Sequence, residues 1–177
     1  AAGPNAPRLM RSAGLPDELF QHDGQLTKRD VRAVTLAALA PAPGELLWDV
    51  GAGAGSIAIE FLRAEPTARA IAIEQSSKRA GNIRANGENL GVQKLQVIEG
   101  AAPAALKGLA RPDVIFIGGG VSDRKVLNAC WRALPSGGRL VANAVSMEGE
   151  SQLFGFMRLK GGGMKRIEIS HLDAMGD

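Results

Sequence analysis

The sequence contains no tyrosine, one cysteine and two histidines among its 177 residues. A single cysteine, Cys130, excludes an internal disulfide and is typical of a reducing compartment, so we expect a cytoplasmic protein. The surrounding segment LNACWRAL has helical spacing, and a free cysteine in it is expected to pack in the core rather than act as a nucleophile. With so few histidines and cysteines no metal-ligand cluster is visible, and we expect no metal.

Long apolar runs and aromatic residues are also scarce. No stretch of about 18 consecutive apolar residues exists in the sequence, so no membrane-spanning helix is predicted. Five Phe and two Trp offer few platforms on which nucleic-acid bases could stack. The net charge of +3 and pI near 9.4 are compatible with an anionic partner without requiring one. The composition therefore argues against membrane and nucleic-acid partners.

Apolar runs alternate with segments of helical spacing along the chain, which is typical of an α/β fold with a parallel sheet and helices on both faces. The length suits one such domain, and we place it at residues 26–177, after a Pro- and Gly-rich N-terminal arm at residues 1–25. Helix caps are expected at Thr27 and Ser122. Six strands are predicted, at Leu46–Val50, in EPTARAIAIE up to Glu74, and in KLQVIEG, PDVIFIGGG, PSGGRLVANAV and MKRIEISHL. Six helices are predicted, in TKRDVRAVTLAALA, at Ser56–Ala64, and in SSKRAGNIRANGENLG, AAPAALKGL, SDRKVLNACWRAL and MEGESQLFGFMRLKG.

The segment LLWDVGAGAGSIAIEF predicts a strand, a tight glycine loop and a helix. Its spacing G-x-G-x-G differs from the dinucleotide fingerprint G-x-G-x-x-G, and no Gly-Lys-Ser/Thr follows as in a phosphate-binding P-loop. Closely set glycines let the backbone pass against a flat, polar, partly charged ligand without phosphates, and S-adenosylmethionine is such a ligand. The loop residues expected to contact it are Gly51, Ala52, Gly53, Ala54 and Gly55.

Three further positions fit this interpretation. Asp49 ends the first strand and would lie below the loop, where it could order the loop or attract the cofactor's ammonium group through water. Glu74 ends the second strand, where a carboxylate can accept from both ribose hydroxyls. Ala101 and Ala102 follow the third strand and would offer backbone groups to adenine. The alternative is that the glycines only make a tight turn and that Glu74 is a solvated charge.

Several segments resemble a known family. WDVGAGAGSIAIE, AIAIE, VIEGAAPAAL and DVIFIGGG are similar to the motifs of class I S-adenosylmethionine-dependent methyltransferases, which implies a Rossmann-like, mostly parallel sheet. GLPDELFQHDGQLTKRDVRAVTLAAL and VANAVSMEGE resemble segments of the decarboxylating precorrin carbon-15 methyltransferases of cobalamin biosynthesis, and the resemblance covers roughly residues 14 to 175. In some organisms this enzyme is free-standing; in others it is the C-terminal domain of precorrin-6Y C5,15-methyltransferase, which the Ala-rich start without Met favours. We therefore expect an N-terminal methyltransferase domain fused to it in the intact protein.

The resemblance implies methylation of carbon 15 of a precorrin and loss of the ring C acetate carboxyl group at carbon 12, giving precorrin-8 and S-adenosylhomocysteine. It also implies that Thr27 contacts the cofactor from above, that residues 51 to 55 wrap its methionine part, that Glu74 holds the ribose and that Ala101 and Ala102 contact the adenine. Many methyltransferases carry Asp where this chain has Ala101, so backbone contact must suffice there. The family forms homo-oligomers, so a tetramer is expected. It also carries a final hairpin, whose last strand we expect to be missing from this chain.

The substrate implied by the resemblance is a tetrapyrrole with many carboxylates, which basic groups would orient. Arg124 and Lys125 are candidates, the alternative being that they are solvated at a helix terminus. Asn143 and Glu148 follow the fifth strand and could face the substrate or cap the chain, and no general base is named. Two other functions stay open: an RNA or protein methyltransferase on the same fold, and a non-catalytic subunit that binds S-adenosylmethionine.

Overall fold

The computed structural model describes residues 11–170, and five strands in that part of the chain form one sheet. They are β1 (Leu46–Val50), β2 (Arg69–Glu74), β3 (Gln96–Glu99), β4 (Val114–Ile117) and β5 (Arg139–Ala142). The strands lie in the order β3-β2-β1-β4-β5, and all neighbouring pairs are parallel. The predicted parallel sheet is confirmed, and β1 lies at its centre, where the order of the strands reverses.

Five helices connect and cover these strands. They are α1 (Arg29–Leu39), α2 (Ser56–Ala64), α3 (Ser77–Asn89), α4 (Arg124–Ala133) and α5 (Met147–Lys160). Val50 at the end of β1 is paired with Ile73 on β2 and with Ile117 on β4. The segments that follow these three strands therefore emerge at the same edge of the sheet, and this edge carries the candidate site.

Apolar side chains on the two faces of the sheet form two core layers. Leu47 and Phe116 pack beneath α1, α2 and α3, whereas Trp48 and Ile115 pack beneath α4 and α5. Successive side chains of a strand point to opposite faces, so β1 supplies both layers and all its residues are buried. Cys130 is fully buried in the second layer, and burial raises the pKa of its thiol to about 12. Its predicted place in the core is confirmed.

The predicted N-cap at Thr27 is wrong. Helix α1 begins at Arg29, and Lys28 occupies the cap position without a side-chain hydrogen bond. The carbonyl oxygen of Thr27 instead accepts a hydrogen bond from Nη1 of Arg32, at 2.5 Å. Thr27 therefore contacts the helix through its backbone carbonyl and not through its side chain.

Two other predicted helix boundaries differ from the structure. The cap of α4 is Asp123 and not Ser122, because the Asp123 carboxylate accepts the backbone N–H of Lys125 at 2.8 Å. The short helix predicted in AAPAALKGL is reduced to one 3₁₀ turn, Ala104–Leu106, and Gly108 with a φ of 76° turns the chain soon after it.

The last strand predicted in MKRIEISHL is wrong where the structure describes it. Residues 164–170 have no regular secondary structure and are exposed, and His171 and Leu172 lie outside the described residues. In the described part of the chain, β5 pairs with β4 on one side and has no strand on the other. The alternation of Ile167 and Ile169 with polar residues suits a strand, but a strand also needs a neighbour for its backbone hydrogen bonds.

Residues 11–25, the described part of the N-terminal arm, pack against the rest of the molecule. Leu15 and Phe20 are 1% and 4% exposed and form a third apolar cluster with Ile59 of α2 and with Leu90 after α3. The division of the chain at residue 25 stays a prediction, but the segment before it contributes to the core.

A buried ionic contact holds this segment in place. Arg32 on α1 and Glu60 on α2 are 0% and 2% exposed, and Nε of Arg32 donates to Oε1 of Glu60 at 2.6 Å. The Glu60 carboxylate also accepts the backbone N–H groups of Gly14 at 2.6 Å and Leu15 at 2.9 Å. The Arg32 guanidinium donates in turn to the carbonyl oxygens of Leu15 and Thr27. The pair thereby fastens both ends of the segment to two helices.

None of the helices within residues 11–170 combines the length and the apolar character that crossing a lipid bilayer would require.

Replacing Arg32 by Met is expected to lower the free energy of unfolding by about 3 to 5 kcal/mol, because it leaves the Glu60 carboxylate buried without its countercharge. Urea unfolding followed by circular dichroism measures this loss. The matched control is Arg166→Met, which removes an ion pair with Glu150 at a position that is 81% exposed and should change stability little. Equal stabilities of the two variants would contradict the role assigned to Arg32.

Candidate functional site

A cleft of about 250 Å³ lies at the carboxyl ends of the central strands, next to the point where the strand order reverses. Open parallel sheets bind ligands at this place, because the loops on either side diverge there. The walls come from the arm, the loop after β1, the end of β2, the segments after β3 and β4, and the first turns of α3 and α4. The volume is near the lower end of the range typical of small-molecule sites, ~300 Å³.

The glycine loop forms one wall of the cleft, and its glycines are required by the protein's own packing. Gly51, Gly53 and Gly55 have φ values of 70°, 58° and 77°, a conformation that favours glycine. A Cβ atom at these positions would lie 2.6 Å from Cα of Gly119, 2.8 Å from the carbonyl oxygen of Gln25 and 2.7 Å from the side chain of Ile83, respectively. Gly51 and Gly53 line the cleft, whereas Gly55 packs against α3.

The two alanines of the loop, Ala52 and Ala54, are not among the residues that line the cleft. Ala54 is buried, and its carbonyl oxygen accepts a hydrogen bond from Nδ2 of Asn86 at 3.0 Å. The N–H of Ala52 donates to the carbonyl oxygen of Ile73 at 3.1 Å, which holds the loop against the end of β2. Contacts of these two residues with a cofactor stay predictions.

Glu74 lies at the floor of the cleft and is 4% exposed. Its Oε2 atom accepts the N–H of Gly53 at 2.9 Å, and its Oε1 atom accepts from the N–H of Ser76 at 2.9 Å and from Nε of Arg79 at 3.2 Å. A carboxylate can accept about four hydrogen bonds, so one position on Oε2 is left for a ligand. Glu74 can thus accept a hydrogen bond from one ligand hydroxyl group in the observed conformation. Accepting from two hydroxyl groups would require the loss of one of its hydrogen bonds within the protein.

Asp49 lies beneath the loop and does not line the cleft. Its Oδ2 atom accepts the N–H of Ala58 in the first turn of α2 at 3.1 Å, while Oδ1 is buried without a partner among the described residues. Burial raises the pKa of the Asp49 carboxyl to about 7, and the negative charge of Glu74 acts in the same direction. The contact with Ala58 orders the start of α2. The two roles expected from the sequence, ordering the glycine loop and attracting the cofactor's ammonium group through water, stay predictions.

Ala101 and Ala102 line the cleft on the side of β3, as the sequence predicts. Thr27 is not among the lining residues, but Gln25, two residues earlier in the arm, is. The carbonyl oxygen of Gln25 lies against Gly53, so the arm crosses the glycine loop. The predicted cofactor contact of Thr27 stays a prediction.

The predicted substrate-side residues are not among those that line the cleft. Arg124 and Lys125 are exposed in the first turn of α4, which also places Val126 in the cleft lining. Asn143 follows β5, and its Nδ2 atom donates to Oγ1 of Thr35 on α1 at 3.0 Å. Glu148 is exposed in the first turn of α5. The contact of Asn143 is a structural one between a strand end and a helix.

Several parts of the cleft were not predicted from the sequence, among them Gln25, Gln75, Arg79, Val126 and the run Gly118–Gly120. The triple glycine after β4 was a usable signal, because it follows a strand adjacent to β1. Arg79 was another, since a basic side chain in the first turn of a helix opposes the helix dipole. Gln25 gave no local signal, because contacts of the arm with distant residues, among them Glu60, Arg79 and Asn86, bring it to the site.

The donors and acceptors of the cleft fit S-adenosylmethionine. Glu74 offers an acceptor for a ribose hydroxyl, Gly51 and Gly53 leave backbone exposed, and Ala101 and Ala102 offer backbone groups without bulky side chains. Within the part of the chain that the structure covers, no group of three or more His, Cys, Asp or Glu side chains could hold a metal ion.

A family model described as a precorrin methyltransferase domain matches residues 18–177. The chain is 53% identical over 176 residues to a Sinorhizobium protein named precorrin-6Y C(5,15)-methyltransferase (decarboxylating), covering 99% of this chain and 43% of that protein. It is 36% identical over 141 residues to a Saccharolobus solfataricus protein named "Probable cobalt-precorrin-6B C(15)-methyltransferase (decarboxylating)", covering 76% of this chain and 71% of that one.

Among solved structures, the fold is similar to the C-terminal domain of precorrin-6Y C5,15-methyltransferase from Rhodobacter capsulatus. The TM-score is 0.89 at 42% sequence identity, and the match covers 95% of this chain and 90% of that domain. The chain spans about two fifths of the length of the longer curated relatives that it matches.

Asp49 is expected to make stability depend on pH. The carboxyl ionises near pH 3.8 in the unfolded chain and near pH 7 in the folded one, so unfolding between these values releases a proton. The free energy of unfolding should therefore fall, by about 3 kcal/mol from pH 5 to pH 8, relative to Asp49→Asn.

Urea unfolding of both proteins at several pH values, without added ligand, measures this difference. The Asn variant keeps an oxygen for the Ala58 N–H and carries no charge, so its stability should lack this fall. Parallel pH profiles for the two proteins would show that Asp49 is not the group responsible.

Proposed function

Since the chain belongs to the precorrin methyltransferase domain family, we propose that it methylates carbon 15 of a precorrin with S-adenosylmethionine and removes the ring C acetate carboxyl group at carbon 12, giving precorrin-8 in cobalamin biosynthesis. The observation that carries the proposal is the meeting of the glycine loop, Glu74 and the segment after β3 in one cleft of a chain from this family. The fold alone would leave the substrate open.

The names of the relatives support the assignment to carbon 15. The Sinorhizobium protein is named for carbons 5 and 15, and this chain matches 43% of its length. The Saccharolobus solfataricus protein is named for carbon 15 and decarboxylation alone, and this chain matches 71% of it. The shared part is therefore best assigned to the carbon-15 methylation and the decarboxylation, and in the intact protein a fused N-terminal domain would act at carbon 5.

In the proposed complex, Glu74 accepts a ribose hydroxyl through Oε2, the backbone of Gly51 and Gly53 lies against the methionine part, and Ala101 and Ala102 lie at the adenine. S-adenosylmethionine supplies an electrophilic methyl group on its sulfonium and leaves as S-adenosylhomocysteine. Gln25 in the arm covers the cleft from above and limits the access of water.

The proposed reaction asks the protein mainly to orient two reactive partners and to exclude water. A bridging carbon flanked by enamine-like nitrogens is already nucleophilic, so no side chain is assigned as a general base. When carbon dioxide leaves, the electron pair of the broken bond can pass into the conjugated macrocycle. Arg124 and Lys125 are proposed to pair with substrate carboxylates, since they are exposed beside the cleft-lining Val126.

The first test is to incubate the purified chain with labelled S-adenosylmethionine and the precorrin that precedes precorrin-8, with and without cobalt, and to follow product mass. The expected product has gained one methyl group and lost carbon dioxide. Methyl gain alone would assign the decarboxylation to another part of the protein, and cofactor binding with neither change would favour a non-catalytic subunit or another methyl acceptor.

A matched pair of variants links this activity to the cleft. Glu74→Gln removes the charged acceptor and should weaken S-adenosylmethionine binding by about tenfold or more. Glu99→Gln changes the carboxylate that ends the neighbouring strand outside the cleft lining, and it should bind the cofactor like the unchanged chain. Equal binding by both variants would place the cofactor elsewhere.

A further inference from the structure

Arg79 is a charged side chain in the cleft that the proposed reaction does not use. It lies in the first turn of α3, and 24% of its side chain is exposed. The backbone N–H groups of a first helical turn carry partial positive charge, so a cation at this place is locally unfavourable. Its presence there requires compensation from acidic groups.

Two carboxylates supply that compensation, and they come from different parts of the chain. Nε of Arg79 donates to Oε1 of Glu74 at the end of β2, at 3.2 Å. Nη1 of Arg79 lies 3.6 Å from Oδ2 of Asp23 in the arm, and 28% of the Asp23 side chain is exposed. Arg79 thus joins the floor of the cleft to the arm that covers it.

These contacts are part of a ring of neighbouring residues along one side of the cleft, which starts and ends in the arm. Asp23 contacts Arg79, Arg79 contacts Glu74, and the Oε2 atom of Glu74 accepts the N–H of Gly53. Gly53 lies directly beneath the carbonyl oxygen of Gln25, two residues after Asp23. Movement of the arm is therefore coupled to the orientation of the Glu74 carboxylate.

We propose that Arg79 is a positioning residue for the cofactor. It donates to Oε1 of Glu74, so that Oε2 is left to accept a single ribose hydroxyl. It also pairs with Asp23, so that the arm closes the cleft. This inference rests on the proposed function, because the ligand is S-adenosylmethionine. Without Arg79, the Glu74 carboxylate stays buried without a countercharge, and the arm loses a contact at its crossing point.

The test compares four variants with the unchanged chain. Three are the single substitutions Arg79→Met, Arg79→Lys and Asp23→Asn, and the fourth combines Arg79→Met with Asp23→Asn. Calorimetry gives the Kd for S-adenosylmethionine, and steady-state kinetics gives KM and kcat. Arg79→Met should raise Kd and KM by about tenfold or more and leave kcat at saturating cofactor within about twofold, because the reacting atoms are not touched. Arg79→Lys should recover most of the lost affinity.

The double variant tests the link between arm and floor. Asp23→Asn alone should raise Kd by about threefold, and adding it to Arg79→Met should raise Kd no further, since both changes remove the same contact. Additive effects would contradict the link. Circular dichroism checks folding, and should Arg79→Met not fold, an unchanged Kd for Asp23→Asn overturns the proposal.

The outcomes separate this inference from the proposed function. If the unchanged chain binds no S-adenosylmethionine, the proposed function fails and this inference fails with it. If the unchanged chain binds the cofactor and Arg79→Met has the same Kd and KM, only the role of Arg79 is overturned. A fall in kcat with KM unchanged would also contradict a positioning role in cofactor binding.

Discussion

The cleft depends on the buried contact between Arg32 and Glu60. It fastens the segment that runs from Gly14 to Thr27 across α1 and α2, and this brings Gln25 over the glycine loop. Two charges with 0% and 2% exposure are costly unless every donor and acceptor is used. Here the backbone of the segment and the Asp17 carboxylate provide the remaining partners, so the charges and the segment stabilise each other. Nearer the cleft, the contacts of Gln21 with Asn86 and of Asp23 with Arg79 complete the attachment of the segment.

The central strands impose the second constraint, which is close approach of backbone to backbone. Gly51 and Gly119 follow β1 and β4 and lie so close that a side chain on Gly51 would collide with Gly119. Gly53 is covered by the arm in the same way. The glycines therefore allow the two backbones to approach closely where they leave the sheet, and the exposed backbone that a cofactor would meet is a consequence of that approach. The packing of the loops and the proposed binding of the cofactor thus require glycine at the same positions.

Sequence patterns predicted the elements that depend on local order. The bounds of β1 and α2 were predicted correctly, because a buried run followed by a glycine loop and an apolar helix has few other solutions. Glu74 and the pair Ala101–Ala102 were placed at the cleft because parallel strands end at one edge.

Other features could not be predicted because their causes lie far apart in the sequence. Gln25 reaches the cleft through contacts that its segment makes with residues up to 65 positions away in the sequence. The strand expected at 164–170 has the right alternation but no neighbouring strand in the described part of the chain. Ser122 and Asp123 are adjacent and both residue types are common at helix N-caps, so residue type alone could not choose Asp123.

A crystal structure of the chain with S-adenosylhomocysteine would test the proposed cofactor site most directly. We predict that the ligand lies across the carboxyl ends of β1, β2 and β3, with one ribose hydroxyl on Oε2 of Glu74, the adenine at Ala101 and Ala102, and Gln25 above it. A ligand bound elsewhere, or one whose ribose makes no contact with Glu74, would contradict the site assigned to this cleft.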